Sequence, residues 1–150
     1  MTDLLELAAR IEAASGPDRE IDARIAVALR LGCRPNLPDD LEYLSLVRDD
    51  DFESAGTYWF HCRSGKSLRT SLPYTGSLDA AMTLVPEGWV VERLSIWPQE
   101  SSATLCGTRE GKDGLRWHNF GDGRAQGTAK TAPLAIALAA LRARASEQKE

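Results

Sequence analysis

Residues 73–89 have the sequence PYTGSLDAAMTLVPEGW, and these seventeen residues contain a helix start, a short helix, a helix stop and the start of a strand. Thr75 or Ser77 can cap the helix, because a hydroxyl oxygen at this position accepts a hydrogen bond from a free backbone N–H of the first turn. Pro86 and Gly88 end the helix, since proline lacks an N–H donor and disfavours helical backbone in the residue before it. We predict a short helix over residues 76–85 and a strand that begins at Trp89.

The residues after this helix favour an antiparallel β-meander over residues 89–120. Short polar turns separate three segments with the composition of paired strands. Residues 121–130 are polar and contain three glycines, so we interpret them as a link without regular structure. The three predicted strands are residues 89–97, 103–109 and 115–120.

A final helix is predicted over residues 131–145. Pro133 lies in its first turn, where the missing N–H of proline costs no hydrogen bond. Leu134, Leu138 and Leu141 recur at helical spacing and define an apolar face.

The N-terminal part of the chain predicts a helical hairpin over residues 2–31. Apolar residues recur at helical spacing from Leu4 and again from Ile21, which places them on one face of each helix. Gly16 and Pro17 separate the two helices, because glycine ends a helix readily and proline suits the first turn of the next one.

Residues 34–71 give weaker signals, and we interpret them as an irregular insert that contains strands. Residues 41–47 fit either a short helix or a strand. Residues 57–62 are rich in aromatic and β-branched side chains, which predicts a strand.

Length and pattern together predict one domain over residues 1–150. A chain of this length buries a sufficient core without a cofactor. We expect an α+β fold in which an antiparallel sheet meander is covered by helices, an α/β/α-type sandwich.

Three segments of the chain resemble the phage ABA sandwich domain family, a group of small proteins found in phages and in prophage regions of bacterial genomes. The segments occur in the order that the family shows: GPDREIDARIAVAL (16–29), the stretch 73–89, and the alanine-rich TAPLAIALAALRARA (131–145). The family name implies helical layers around a sheet, in agreement with the pattern above. The resemblance implies a phage or prophage protein and carries no settled biochemical role.

Composition and cysteine usage argue against several classes of protein. The longest apolar run, residues 132–141, has ten residues, whereas a bilayer requires ~20. The N-terminus also lacks the pattern of a signal peptide, so we expect a cytoplasmic protein without a membrane segment. Cys33, Cys62 and Cys106 are widely spaced, which fits neither a disulfide framework nor a zinc site. We therefore expect reduced thiols, no metal and no cofactor.

The charge of the chain is unevenly distributed. Residues 1–54 contain 13 Asp and Glu against 6 Lys and Arg, whereas residues 55–150 contain 9 against 12. An acidic first third repels the phosphate backbone of nucleic acids. Nucleic-acid binding is therefore expected, if at all, only at a local basic patch in the second part.

Motifs for catalysis are weak. The segment HCRSGKS (61–67) resembles a phosphate-binding loop, but that pattern requires a glycine where Phe60 stands, so we interpret it as a polar hairpin turn. His61 and Cys62 are neighbours on a predicted strand and therefore point to opposite faces. We predict no catalytic residue. An enzyme, in which His61 or His118 converges with a cysteine and a carboxylate in one pocket, is a further hypothesis for function, after the two binding hypotheses that follow.

An acidic surface is the first candidate for partner binding, because a face rich in carboxylates can dock on a basic partner. The alternative interpretation is that Asp18 and Asp79 support the first turns of their helices, where carboxylates interact favourably with the helix dipole. The acidic surface comprises Asp18, Glu20, Asp22 and Asp79.

An aromatic and basic region is the second candidate, for a small ligand or single-stranded nucleic acid. Rings beside cationic groups stack on bases and bind anions. The same rings can instead belong to the core, since aromatic side chains bury large areas. The aromatic-basic region comprises Tyr58, Trp59, Arg63, Lys66, Arg69 and Tyr74.

The leading hypothesis for function is a non-enzymatic accessory protein that binds a protein partner, such as a host factor, through the acidic surface. The aromatic-basic region provides the first alternative, and an enzyme provides the other. The sequence permits both a monomer and a homodimer.

Overall fold

The computed structural model describes residues 4–29, 41–46, 58–62, 67–69, 72–110, 116–118 and 123–148. Within these ranges the helices are α1 (Leu4–Ala13), α2 (Arg19–Leu29), α3 (Leu78–Met82) and α4 (Ala132–Gln148). The strands are β1 (Leu41–Leu46), β2 (Tyr58–Cys62), β3 (Ser67–Arg69), β4 (Trp89–Ile96), β5 (Ser101–Glu110), β6 (Arg116–His118) and β7 (Arg124–Ala129). Helices pack on antiparallel strands, which confirms the predicted α+β fold.

Helix α4 is the central element of the described structure. It packs against β5 and β7 and also against α1 and α3. The predicted apolar face is buried, and all the remaining residues from Leu134 to Leu141 are buried as well. A helix that is apolar all round is stable only when neighbours cover all of its sides, and the alanines of α4 let those neighbours approach closely.

Strand β5 is the central strand of the larger sheet. Residues 101–106 of β5 pair with β4 and also with β7, so these two strands lie on opposite edges of β5. Residues 108–110 pair with β6. All three pairings are antiparallel, and the predicted β4-β5-β6 meander is confirmed.

The prediction that residues 121–130 form an irregular link is wrong, because they contain β7. Burial alternates along this strand: Ala125, Gly127 and Ala129 are buried, whereas the residues between them are exposed. The buried side chains are alanine and glycine, which have low strand propensity. The close packing of α4 requires residues of this size. Because their strand propensity is low, the sequence does not indicate a strand here.

Gly127 is a point of close approach between the sheet and α4. A Cβ atom added at this residue would lie 2.6 Å from the carbonyl oxygen of Ala135 and 2.7 Å from the backbone nitrogen of Ala139. Both atoms belong to the helix backbone, so no side-chain rotation relieves the overlap. Any residue other than glycine would therefore push α4 away from β7.

Gly127→Ala is expected to reduce the free energy of unfolding by about 1–3 kcal/mol, or by more if α4 cannot shift, because the added methyl overpacks a rigid contact. Urea unfolding monitored by tryptophan fluorescence measures the change. Gly16→Ala is the matched control, since nothing lies within 4 Å of a Cβ atom at Gly16. Equal stability of both variants would show that α4 does not lie this close to β7.

Strands β4 and β7, which pair only with β5 among the described strands, are protected at their outer edges in different ways. At β7, Arg142 of α4 donates a hydrogen bond from Nη1 to the carbonyl oxygen of Gln126 (2.8 Å), and its Nη2 lies 3.3 Å from Glu12 Oε2 of α1. At β4, the register with β5 shifts between Val91 and Arg93. Bulges and charged side chains both oppose pairing with another strand.

A second antiparallel sheet has the order β1-β2-β3. Residues 41–46 are a strand, which decides between the two interpretations of that segment, and the strand predicted over residues 57–62 is confirmed as β2. The predicted pair of N-terminal helices is also confirmed: α1 packs against α2, and Arg10 Nη2 lies 3.5 Å from Glu20 Oε1.

Candidate functional site

Asp22 of the predicted acidic surface is completely buried. Its Oδ1 accepts a hydrogen bond from the backbone N–H of Thr75 (2.7 Å), and its Oδ2 accepts one from Nη1 of Arg19 (2.8 Å). Thr75 is separated from Asp22 by 53 residues in the sequence and is itself buried. The carboxylate therefore fastens α2 to the turn that precedes α3, and the expectation that it lies on a surface is wrong.

Asp18 has a similar structural role at the start of α2. Its Oδ1 accepts hydrogen bonds from the N–H groups of Glu20 (2.9 Å) and Ile21 (3.2 Å), as an N-cap does. Its own N–H donates to Oγ1 of Thr75 (2.8 Å). Thr75 thus serves the contact with α2, and the cap of α3 is Ser77, whose hydroxyl accepts from the N–H of Ala80 (3.3 Å).

The other two acidic candidates differ from each other. Glu20 is paired with Arg24 (2.9 Å) and Arg10 (3.5 Å), and the hydrogen bond from Arg24 is the main reason that the pKa of Glu20 is lowered. Asp79 is exposed in the first turn of α3 and makes no ion pair within the described residues. The four carboxylates are thus not one open face, and Asp79 is the member that stays accessible.

Asp22→Ala is expected to lower the free energy of unfolding by about 1–3 kcal/mol, because it leaves the buried N–H of Thr75 without an acceptor. Asp22→Asn keeps an oxygen that can accept from that N–H, so its unfolding free energy should fall less than that of Asp22→Ala. Asp79→Ala, which removes an exposed carboxylate, is the control and should change the value by less than about 0.5 kcal/mol. Urea unfolding of the three variants tests the ranking, and an Asp22→Ala variant as stable as the control would contradict it.

A pH dependence follows from the burial of Asp22. Burial raises the pKa of this carboxyl, although the hydrogen bonds from Thr75 and the charge of Arg19 oppose the shift. The folded protein then binds the proton of Asp22 more tightly than the unfolded chain does. The contribution of Asp22 to stability must therefore fall as the pH rises from the ordinary aspartate pKa through the raised one.

We expect the difference in unfolding free energy, wild type minus Asp22→Asn, to decrease as the pH rises above the ordinary aspartate pKa, since the asparagine does not titrate. Urea unfolding of both proteins at matched pH values measures it, and the subtraction removes the titration of all other groups. A difference that grows with pH would show that the ion pair with Arg19 outweighs burial.

The structure places two members of the aromatic-basic region opposite each other and buries a third. Trp59 of β2 lies opposite Arg69 of β3 in the strand register. Tyr74 is buried in the hydrophobic core, so its assignment to a ligand-binding surface is wrong. Arg63 and Lys66 lie outside the described residues. Ligand binding by the remaining members, which include Tyr58 of β2, stays a prediction.

The two histidines considered for catalysis lie on different strands. His61 of β2 is opposite Tyr43 and Ser67 in the register, and His118 of β6 is opposite Thr108. Cys106 is buried on β5, and burial raises the pKa of its thiol, which disfavours the reactive thiolate. Within the described ranges, no group of three histidine, cysteine or carboxylate side chains is placed to hold a metal ion.

The most exposed large apolar side chains described lie at the hairpin tip, residues 96–100, between β4 and β5. Ile96 is 65% exposed and Trp97 is 68% exposed. The N–H of Trp97 donates to the carbonyl oxygen of Glu100 (2.9 Å), which leaves Pro98 and Gln99 as the loop. Proline fixes its own φ, so the tip is held by both the strand ladder and the ring of Pro98.

Sequence analysis placed Trp97 at the end of the strand predicted over residues 89–97 and did not identify the hairpin tip as a candidate site. A signal was present: the proline directly after Trp97 ends the strand, and a side chain at the end of a hairpin has few neighbours to cover it. The shallow depression lined by residues 97–100 is open to solvent. The tip therefore presents an open surface and not an enclosed pocket.

Comparison with known proteins yields no relative: no protein-family model, no curated protein and no solved structure matches this chain. The resemblance of the three segments to the phage ABA sandwich domain family accordingly stays a prediction. None of the helices in the described ranges is both long and apolar enough to cross a membrane.

Proposed function

We propose that this chain is a non-enzymatic accessory protein, of the phage or prophage kind, that acts by binding a protein partner in the cytoplasm of the bacterial host. Its contact is the hairpin tip, and the observation that carries the proposal is the exposure of Trp97 and Ile96 there. The three segments that resemble a phage family support the genetic setting.

The exposure of these two side chains supports binding on energetic grounds. Exposed tryptophan and isoleucine gain free energy when a partner removes them from water. Tryptophan is also enriched among the few interface residues that contribute most of the binding energy. The remaining large apolar side chains described on the surface are at most 45% exposed, so the tip is the strongest candidate.

The rigidity of the hairpin tip supports the same conclusion. Ile96 is paired with Ser101 in the ladder, and the hydrogen bond from Trp97 to Glu100 closes the loop. A contact that is already ordered loses little conformational entropy on binding. The backbone of the tip therefore presents Trp97 to a partner in one geometry.

Photo-crosslinking at the tip tests the proposal. Gln99, which is exposed beside Trp97, is replaced by benzoylphenylalanine, and the protein is irradiated in lysate of the bacterial host. We expect a discrete adduct whose yield falls at least about fivefold when Trp97→Ser is added, because the ring anchors the partner. Gel electrophoresis and mass spectrometry measure the adduct.

Leu5→Ser is the control for that experiment, since Leu5 is an exposed apolar residue on α1 (45%) and is distant from residue 97 in the sequence. It should leave the adduct yield unchanged. If Trp97→Ser leaves the adduct yield unchanged, or if Leu5→Ser lowers it as much as Trp97→Ser does, the tip is not the contact.

A small ligand or single-stranded nucleic acid is the second candidate, favoured by the register that places Trp59 opposite Arg69. Titration of tryptophan fluorescence with nucleotides and short oligonucleotides distinguishes it from the leading proposal. A saturable change lost in Arg69→Ala would favour it, whereas the hairpin-tip model predicts no response.

A further inference from the structure

Helix α3 has a buried face and an exposed face of different character. Ala80 and Ala81 are buried in the core that includes α4. Leu78 and Met82 are 37% and 43% exposed, and their spacing of four residues places them side by side on the outer face. Asp79 is exposed on the adjoining side, one turn before Met82. The outer face of α3, defined as Leu78, Asp79 and Met82, thus combines two apolar side chains with a carboxylate.

Residues 72–88, which include α3, carry two charged side chains, Asp79 and Glu87, and both are acidic. Glu87, five residues after Met82, is exposed, and neither Asp79 nor Glu87 makes an ion pair within the described residues. Arg144 of α4 reaches this part of the chain, since its Nε donates a hydrogen bond to the carbonyl oxygen of Leu84 (2.9 Å). Arg144 is half-buried and interacts with Glu147, so its charge is partly offset.

We propose that the outer face of α3 is a second binding surface and that its ligand is a basic amphipathic helix of a partner protein. Apolar side chains of such a helix would cover Leu78 and Met82, while its lysines or arginines would meet Asp79 and Glu87. Helices that carry apolar and basic residues in this way are recognised by apolar surfaces with acidic surroundings. This surface is distinct from the hairpin tip, and the proposal does not rest on binding there.

The distribution of charge argues for a basic ligand over a neutral one. An unpaired carboxylate beside an apolar contact loses water when a neutral partner covers it, and this loss is not compensated. A cation on the partner pairs with the carboxylate and removes the penalty. The same geometry disfavours an acidic partner and provides specificity.

Fluorescence anisotropy with a labelled model peptide tests the proposal. The probe is an amphipathic helix of about 16 residues, long enough to be helical when bound, built from leucine on one face and lysine on the other. The comparison peptide carries glutamate in place of lysine. We expect saturable binding of the lysine peptide that weakens as salt is added, and at least about tenfold weaker binding of the glutamate peptide.

A matched pair of double variants assigns the binding to α3. Met82→Ser with Asp79→Asn removes one apolar side chain and one carboxylate from the outer face of α3, and Leu5→Ser with Glu6→Gln removes the same from an exposed part of α1. We expect the dissociation constant to rise at least about fivefold for the α3 variant and less than about twofold for the α1 variant.

Other outcomes would overturn the proposal. Equal effects of the two double variants, or equal binding of both peptides, would show only general attraction to an acidic protein. A dimer in sedimentation equilibrium that the α3 variant abolishes would assign the face to a second copy of the chain. Urea unfolding accompanies each variant, and because the substituted side chains are exposed, unchanged midpoints are expected.

Discussion

The contact between Gly127 and the backbone of α4 positions the other elements of the larger sheet and its helical cover. Because Gly127 has no side chain, α4 packs close to β7, and α1 and α3 pack on the other sides of α4. An added Cβ would meet two backbone atoms of α4 at less than 3 Å. The alanine-rich sequence of α4 is the counterpart of this glycine, because small side chains on both partners are required for a close approach.

A second constraint, the buried carboxylate of Asp22, determines which acidic residues are available for function. Asp22 and Asp18 hold α2 against Thr75, and Glu20 pairs with two arginines, so these side chains stabilise the N-terminal helices. The proposed contacts with partners lie elsewhere, at the hairpin tip and on α3. Both surfaces are presented by elements that the sheet and α4 hold in place.

The helices and most strands were predictable because their periodicity and punctuation are local. The start of β4 at Trp89 and the cap of α3 at Ser77 follow from proline, glycine and serine near the expected boundaries. Strand β7 was not predictable, because the close packing of α4 requires small residues there, and alanine and glycine have low strand propensity. The role of Asp22 was hidden for a similar reason: its partner Thr75 is distant in the sequence. The exposure of Trp97 was not predicted, although Pro98 directly after it marks the end of a strand, where few neighbours cover a side chain.

The central position of α4 has a consequence for the order of folding during translation. The ribosome synthesises α1, α3, β5 and β7 before α4, yet each of them packs against α4 in the folded chain. Their apolar faces therefore stay uncovered while the rest of the chain is being made, a period of seconds at ordinary rates of elongation. Until residues 132–148 have left the exit tunnel, nascent chains therefore expose apolar surface of the kind that chaperones bind.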